Sequence, residues 1–285
     1  MNNRIVVGIS GKKSGDSALE WGLDFARAHH FDVELAHIVD DRWAVLSKSL
    51  TGTALLDAEH NLRAQAERGS ETHPGLHIHP SVLEGDPIQA LVDRAKGAEL
   101  LVVGTHELRR LHGLIFSTRA AHIAALAPTS VAVVPAGRAL VGAGVVVGVD
   151  GSPSSVAAIE FGAKEADRLG QPLTAVYCWR ALTPWTTTDE NYIPPDPTDD
   201  DHLVLSEAVA GLAEEYPDLD VELQLSPELP VDALIDASSG ARLLVVGTHG
   251  RHGAEKLWLG SVSHELVLAM PCPVVVIKPP ALATT

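Results

Sequence analysis

The heptapeptide Leu100-Leu101-Val102-Val103-Gly104-Thr105-His106 recurs unchanged as Leu243-Leu244-Val245-Val246-Gly247-Thr248-His249, an offset of 143 residues. The same offset relates Pro87 to Pro230 and Pro128 to Pro271. Near the front of each copy, Ile5-Val6-Val7-Gly8-Ile9 is matched by Val145-Val146-Val147-Gly148-Val149 at an offset of 140, so the second copy holds three extra residues between its early and late parts. A period this long exceeds the roughly 20–50 residues of solenoid repeats and reads as a duplicated domain. In a chain of 285 residues either half is long enough to bury its own core. The expected domains are 1–136 and 144–279, joined by the Gly- and Ala-rich stretch between them.

Within each copy the apolar runs are unbroken and rich in Val, Ile and Leu, without polar alternation. Such runs belong to strands buried on both faces, which is the situation of a parallel sheet covered by helices. In the second copy the pattern predicts strands at 144–149, 172–178, 220–225, 242–247 and 273–277, with helices at 153–169, 200–215, 231–238 and 260–269. Ser152-Pro153 reads as an N-cap followed by proline at the first helical position, and Ser14 as the cap of the matching helix. The fold class that follows is α/β, two tandem doubly wound sheets of five parallel strands. Ligands of such sheets sit beyond the carboxyl ends of the strands where strand order reverses, here after the first and fourth strands.

Composition narrows the function. Hydrophobic residues make up 46% and charged residues 20%, with 24 Gly and 18 Pro, which excludes disorder, collagen and coiled coil for the chain as a whole. A formal charge of −16 sets the chain's own field against nucleic acid and anionic membranes, so neither is an expected partner. The charge is lopsided: Lys and Arg number 14 against 16 Asp and Glu in residues 1–140, and 7 against 21 in residues 141–285. Cys178 and Cys272 each lie in an apolar run, which fits buried thiols in a reducing compartment better than a disulfide. The apolar stretch after Arg4 is too short for a secretory signal, and no run approaches the ~18 residues of a membrane span, so a cytoplasmic protein is expected.

The chemistry concentrates at two strand ends of the second copy. After the first strand, Gly148-Val149-Asp150-Gly151-Ser152 places a carboxylate beside a flexible turn. After the fourth, Gly247-Thr248-His249-Gly250 is followed by nine residues and then Gly260-Ser261-Val262 at a helix start. That arrangement suits phosphate: glycines allow close backbone approach and positive φ, the helix start offers free amides, and the Ser261 hydroxyl adds a donor. Gly8-Ile9-Ser10-Gly11-Lys12-Lys13-Ser14 is not a P-loop, because it lacks the first glycine in frame and a Ser or Thr directly after Lys12. No Gly-x-Gly-x-x-Gly follows either first strand, which argues against a nicotinamide or flavin dehydrogenase.

Val147-Gly148-Val149-Asp150-Gly151-Ser152, the Gly-x2-Gly-x9-Gly-Ser spacing at 247–261, and Pro271-Cys272-Pro273-Val274-Val275-Val276 together resemble the universal stress protein family in its tandem form. The resemblance covers nearly the whole chain. It implies an adenine nucleotide alpha-hydrolase-like fold and a stress-response regulator that binds ATP, with Mg²⁺, and signals through an unidentified protein partner. By the same resemblance Asp150 contacts the nucleoside, backbone near Cys178 meets adenine, and Gly247, Gly250, Gly260, Ser261 and Val262 surround ribose and phosphates. The last strand carries the family's usual dimer contact, which implies that the two domains pair as an internal pseudo-dimer and is compatible with a homodimer of the chain.

The copies differ where the ligand is expected. Ser10 replaces Asp150, Glu107 replaces Gly250, and Ser117-Thr118 replace Gly260-Ser261. A carboxylate at Glu107 repels phosphate, so weak or no ATP binding is expected in the first copy, although Arg109, Arg110 and Arg119 could attract an anion. In the second copy Glu228 stands where the first has Gly85, and is expected to crowd the adenine side. His249 and His252 lack further ligands for a metal, and His73, His77 and His79 read as a polar approach to the third strand. Residues 183–197 between the second strand and its helix read as a solvated connector, with the acidic run 199–201 favouring the helix start through its dipole. No base or orienting carboxylate is placed beside Ser261, so no catalytic residue is assigned and at most slow ATP hydrolysis is expected. The sequence leaves two alternatives: a nucleotide-independent interaction scaffold with degenerate pockets, and an adenylyl-transfer enzyme, for which the sequence places no catalytic base or Lys.

Overall fold

The computed structural model describes residues 3–10, 14–40, 48–105, 118–136, 142–179, 196–250 and 259–279. The chain divides into two units, Met1–Leu140 and Val141–Thr285. The first runs β1 (Arg4–Ile9), α1 (Ser14–His29), β2 (Asp32–Val39), α2 (Lys48–Thr72), β3 (Ile78–Glu84), α3 (Pro87–Arg94), β4 (Leu100–Gly104), α4 (Thr118–Leu126) and β5 (Ser130–Val134). The second runs β6 (Val145–Val149), α5 (Pro153–Leu169), β7 (Leu173–Cys178), α6 (Asp199–Ala208), α7 (Leu212–Glu215), β8 (Val221–Ser226), α8 (Pro230–Ala237), β9 (Leu243–Gly247), α9 (Ser261–Ala269) and β10 (Val274–Ile277).

Within the first unit the parallel strands lie in the order β3-β2-β1-β4-β5. Within the second the order is β8-β7-β6-β9-β10, again parallel throughout. In each, the chain builds outward from its first strand and returns to the other side, so strand order reverses between β1 and β4 and between β6 and β9. Helices α1 and α2 cover one face of the first sheet while α3 and α4 meet on the other; α5 and α6, against α8 and α9, repeat the plan. This two-sided cover is why the strand runs lack alternation. Val145, Val147, Leu173, Ala175, Leu244, Val245, Val274 and Val275 are all fully buried, and each large side chain so removed from water contributes roughly 1.5–3 kcal/mol.

One detail of packing repeats with the fold. Gly22 in α1 and Gly162 in α5 sit where a β-carbon would approach Val7 Cγ2 to 2.8 Å and Val147 Cγ2 to 2.3 Å, respectively. Each helix therefore crosses its first strand closely enough that only hydrogen fits. The first unit also buries a charge that the second does not share. Glu34 on β2 accepts from Arg4 at 3.1 Å and from Arg94 Nε at 2.6 Å, and the matching positions in the second unit are Gly144, Thr174 and Ala237.

The expected helix 200–215 is two pieces. Its break falls at Gly211, whose φ of +87° takes the chain out of the right-handed helical region before α7. The start of α6 is set by Thr198, which accepts from Asp201 N, while the Asp201 carboxylate accepts from Thr198 N at 2.8 Å. That reciprocal capping box, and not the helix dipole alone, uses the acidic run. Residues 183–195 of the connector before it, and the side chain of Ser14, lie outside the described residues. Among the described residues no helix is long and apolar enough to cross a membrane.

Candidate functional site

The carboxyl ends of β6 and β9 are held together by short polar contacts. After β6, Asp150 Oδ1 accepts from Ser152 N at 2.9 Å, and Gly151 makes the turn at φ +75°. Ser152 then caps α5: its Oγ accepts from Ser155 N at 3.2 Å, with Pro153 at the first helical position, as Ser-Pro predicts. After β9, Thr248 N donates to Ile277 O at 3.0 Å, and Thr248 O accepts from Gly260 N at 2.8 Å. Gly260 therefore lies beside the end of β9, and Ser263 Oγ fixes the start of α9 there by donating to Gly247 O at 2.6 Å.

Between these ends opens a cleft of about 580 Å³ in the second unit, within the roughly 300–1,000 Å³ of small-molecule sites. All seven residues singled out from the sequence line it. Asp150 follows β6, Cys178 ends β7, Gly247 ends β9, Gly250 lies in the loop, and Gly260, Ser261 and Val262 open α9. One wall is apolar, from Val176 and Tyr177 of β7, Trp179 beyond it, and Pro230 and Leu234 of α8. Tyr177 is tethered there by donating from its hydroxyl to Asp201 Oδ1 at 3.3 Å. The opposite end is polar.

At that polar end the backbone supplies donors. Gly260 is the N-cap of α9 and has no side chain to cap it. The amides of Ser261, Val262, Ser263 and Gly250 find no partner among the described residues. By contrast the starts of α5 and α6 are closed by Ser152 and Thr198. An uncapped helix start with converging amides carries partial positive charge and is suited to an anion.

The three loop glycines serve close approach, and positive φ, expected from their sequence, is not the reason: Gly260 has φ −58°, and neither Gly247 nor Gly250 has a positive φ. A β-carbon on Gly247 would lie 2.6 Å from Ser154 Oγ and 2.9 Å from the Ser154 backbone carbon. On Gly250 it would meet Asp150 Oδ2 at 2.7 Å, and on Gly260 the Thr248 carbonyl oxygen at 3.1 Å. The glycines thus let α5, the Asp150 carboxylate and α9 converge on one loop.

Two expectations about single residues change. Glu228 is exposed and is not among the residues that line the cleft. Its carboxylate acts at a distance: burial first, and the Glu228 charge second, push the Cys178 thiol up to about 11. Cys272 is buried, whereas Cys178 is only partly so and faces the cleft. His249 Nε2 is buried without a hydrogen-bond partner among the described residues. His73 and His77 separate, His73 bonding Asp24 at 3.2 Å and His77 pairing with Asp32 at 3.2 Å. Among the described residues no three His, Cys, Asp or Glu side chains gather as a metal site.

In the first unit Ser10 follows β1 and is exposed. Glu107, Arg109, Arg110 and Ser117, the Thr118 side chain, and His252 of the second unit lie outside the described residues. Arg119 is exposed on α4. Sequence reasoning missed Ser152 and Ser154 as loop contacts, and Tyr177, Trp179 and Leu234 as cleft walls. The walls had a signal, the strand-end position of β7; the serine contacts had none, because they join residues more than ninety positions apart.

Comparison with known proteins gives a consistent result. The model of the Universal stress protein family matches the chain twice, over residues 1–135 and 144–278. A universal stress protein of Mycolicibacterium smegmatis is 28% identical over 295 residues, spanning 96% of this chain and 97% of its own. One from Mycobacterium tuberculosis is 28% identical over 286 residues, spanning 96% of each. Among solved structures, a universal stress protein from Archaeoglobus fulgidus matches with a TM-score of 0.68 at 15% identity, covering 98% of this chain and 99% of its own. At that identity the likeness speaks to the fold.

Proposed function

Because the chain belongs to the universal stress protein family, we propose that its second half, residues 144–279, is a domain that binds an adenine nucleotide, ATP with Mg²⁺, and regulates a stress response through a protein partner. Family membership supports the stress-response role. The observation that carries the ligand is the set of unpartnered amides at Gly250 and the uncapped start of α9, facing a cleft whose far wall is apolar. Such a cleft can take a ligand with a flat apolar end and an anionic end.

In this reading the base lies along the backbone at Cys178, between the walls of β7 and α8. Asp150 accepts from the ribose hydroxyls. The amides of Gly250, Ser261 and Val262 donate to phosphate oxygens, helped by the Ser261 hydroxyl, and Gly247 and Gly260 permit the close approach. Asp150 is the one carboxylate among the described lining residues. Mg²⁺, which commonly keeps several waters and takes one or two carboxylates besides phosphate, would therefore be held chiefly by the phosphates. The raised thiol of Cys178 stays protonated at neutral pH, so it puts no negative charge beside the base. The cytoplasmic setting and the pairing of the two domains belong to the same reading and rest on the family resemblance.

Calorimetric titration with Mg-ATP, preceded by mass spectrometry of the purified chain for carried-over nucleotide, tests it. One site per chain is expected, abolished by Gly260→Glu, which drives a carboxylate into the amide cradle, and weakened by Asp150→Ala. Unchanged affinity in Gly260→Glu sinks the site assignment. No binding and no carried-over nucleotide favours a nucleotide-independent scaffold.

A further inference from the structure

The carbonyl oxygen of His249 receives two side-chain hydroxyls from the first turn of α5. Ser152 Oγ donates to it at 3.2 Å, and Ser154 Oγ donates to it as well. The two hydroxyls are 3.1 Å apart, and both serines are buried. Ser154 has a second contact with the same loop, because Gly247 lies so close that a β-carbon would reach 2.8 Å from Ser154 Cβ. The loop after β9 is therefore seated on α5 by one carbonyl and one glycine.

That carbonyl belongs to the same peptide unit as the Gly250 amide. In a trans peptide the C=O and the N–H point in opposite directions, and no cis peptide occurs in the described residues. Fixing His249 O against α5 thus fixes the Gly250 N–H to point away from α5. Rotating this peptide by half a turn would break both hydroxyl contacts, leave the two buried hydroxyls only each other and the Ser155 amide as partners, so that one proton lacks an acceptor, and turn a carbonyl lone pair where the amide now stands. For an anionic ligand the two orientations are opposite in sign: one presents a donor, the other an acceptor.

We propose that Ser152 and Ser154 are positioning residues that hold the His249–Gly250 peptide with its N–H toward the ligand's phosphate, so that the loop is organised before the ligand arrives. This rests on the nucleotide reading of the cleft. Ser152 carries a second duty as the cap of α5, whereas Ser154 has none among its contacts with its own helix, so Ser154 is the cleaner probe. The first copy has Lys12 and Ser14 at the matching positions and keeps only one of the two hydroxyls.

The test uses the full chain with Ser154→Ala, the double variant Ser152→Ala/Ser154→Ala, and Mg-ATP as the probe. Two quantities are measured: calorimetric affinity, and the ¹⁵N order parameter of the Gly250 amide in the ligand-free protein. Losing one net hydrogen bond predicts an affinity about 3- to 10-fold lower in Ser154→Ala, and more in the double variant. The Gly250 order parameter is expected to fall from the rigid value of about 0.85 toward about 0.6, while amides of the α5 interior keep theirs. That local change separates positioning from general destabilisation. If the parent chain binds Mg-ATP and both variants bind it equally well, the proposal is overturned. If the parent chain does not bind, the nucleotide reading falls instead; an unchanged Gly250 order parameter then overturns the seating of the loop, and a lowered one upholds it.

Discussion

Gly247→Ala is the substitution whose cost can be worked most directly from the structure. The added carbon would stand 2.6 Å from Ser154 Oγ, 2.8 Å from Ser154 Cβ and 2.9 Å from the Ser154 backbone carbon, against an ordinary carbon contact of about 3.5–4.0 Å. The oxygen could swing aside, but the other two atoms belong to the first turn of α5, so the helix start must move by most of an ångström. Overpacking of this kind costs about 1–3 kcal/mol. Because Gly247 does not have a positive φ, alanine also restricts the unfolded chain, which offsets about 0.4–1 kcal/mol. A net loss of about 1–2 kcal/mol lowers the melting temperature of a unit this size by roughly 2–8 °C. The same movement unseats the His249 carbonyl, so affinity for Mg-ATP should fall with stability. Gly250→Ala is the comparison: its carbon meets only the Asp150 carboxylate, at 2.7 Å from Oδ2, and no backbone atom, so binding should weaken with less change in melting. Differential scanning calorimetry and isothermal titration on both variants provide the comparison. A Gly247→Ala chain that melts at the parent temperature with the parent affinity would refute the packing argument.

Two further outcomes are expected. With its thiol at about 11 instead of 9.0, Cys178 should react with iodoacetamide about 100-fold more slowly at neutral pH than an ordinary thiol. Its rate should climb tenfold per pH unit until about 11, and bound nucleotide should protect it; a fast rate at pH 7 that Mg-ATP leaves unchanged would place the thiol elsewhere. The sign follows from the protonated form being favoured in the folded chain: the contribution of Cys178 to stability is complete below 9.0 and is lost as pH rises from there through about 11. In the first unit, Glu34→Ala removes the counter-ion of Arg4 and Arg94. The expected loss is about 1–2 kcal/mol, between an exposed and a buried pair, because the arginines left behind are 21% and 43% exposed and can be solvated by water. Calorimetry should show the first unit melting earlier while Mg-ATP affinity is kept, and an affinity loss of the same size would contradict the separation of the two roles.

Much of the architecture could be read without coordinates. A verbatim heptapeptide at an offset of 143, and unbroken Val-rich runs between helical segments, already imply a duplicated parallel sheet, since both are local properties of the chain. Asp150 and the spaced glycines were legible as cleft-lining residues because they stand at or just beyond strand ends that meet at the reversal of strand order, whereas Cys178 came from the family resemblance. The helix expected over 200–215 failed at Gly211, where composition allowed a helix but the backbone took a positive φ. That Glu228 is exposed and outside the cleft lining was not legible, because sequence gives a residue's place along the chain and not its exposure.

The sequence by itself determined the duplication, the sheet type and the strand ends where a ligand belongs, because these follow from apolar periodicity and from turn residues close in the chain. Only the tertiary structure decided what the glycines are for and which amides stay open. Those depend on α5, the loop after β9 and α9 arriving at one point from positions nearly a hundred residues apart, and an approach so close that a β-carbon would stand only 2.6–3.1 Å from its neighbours has no local signature.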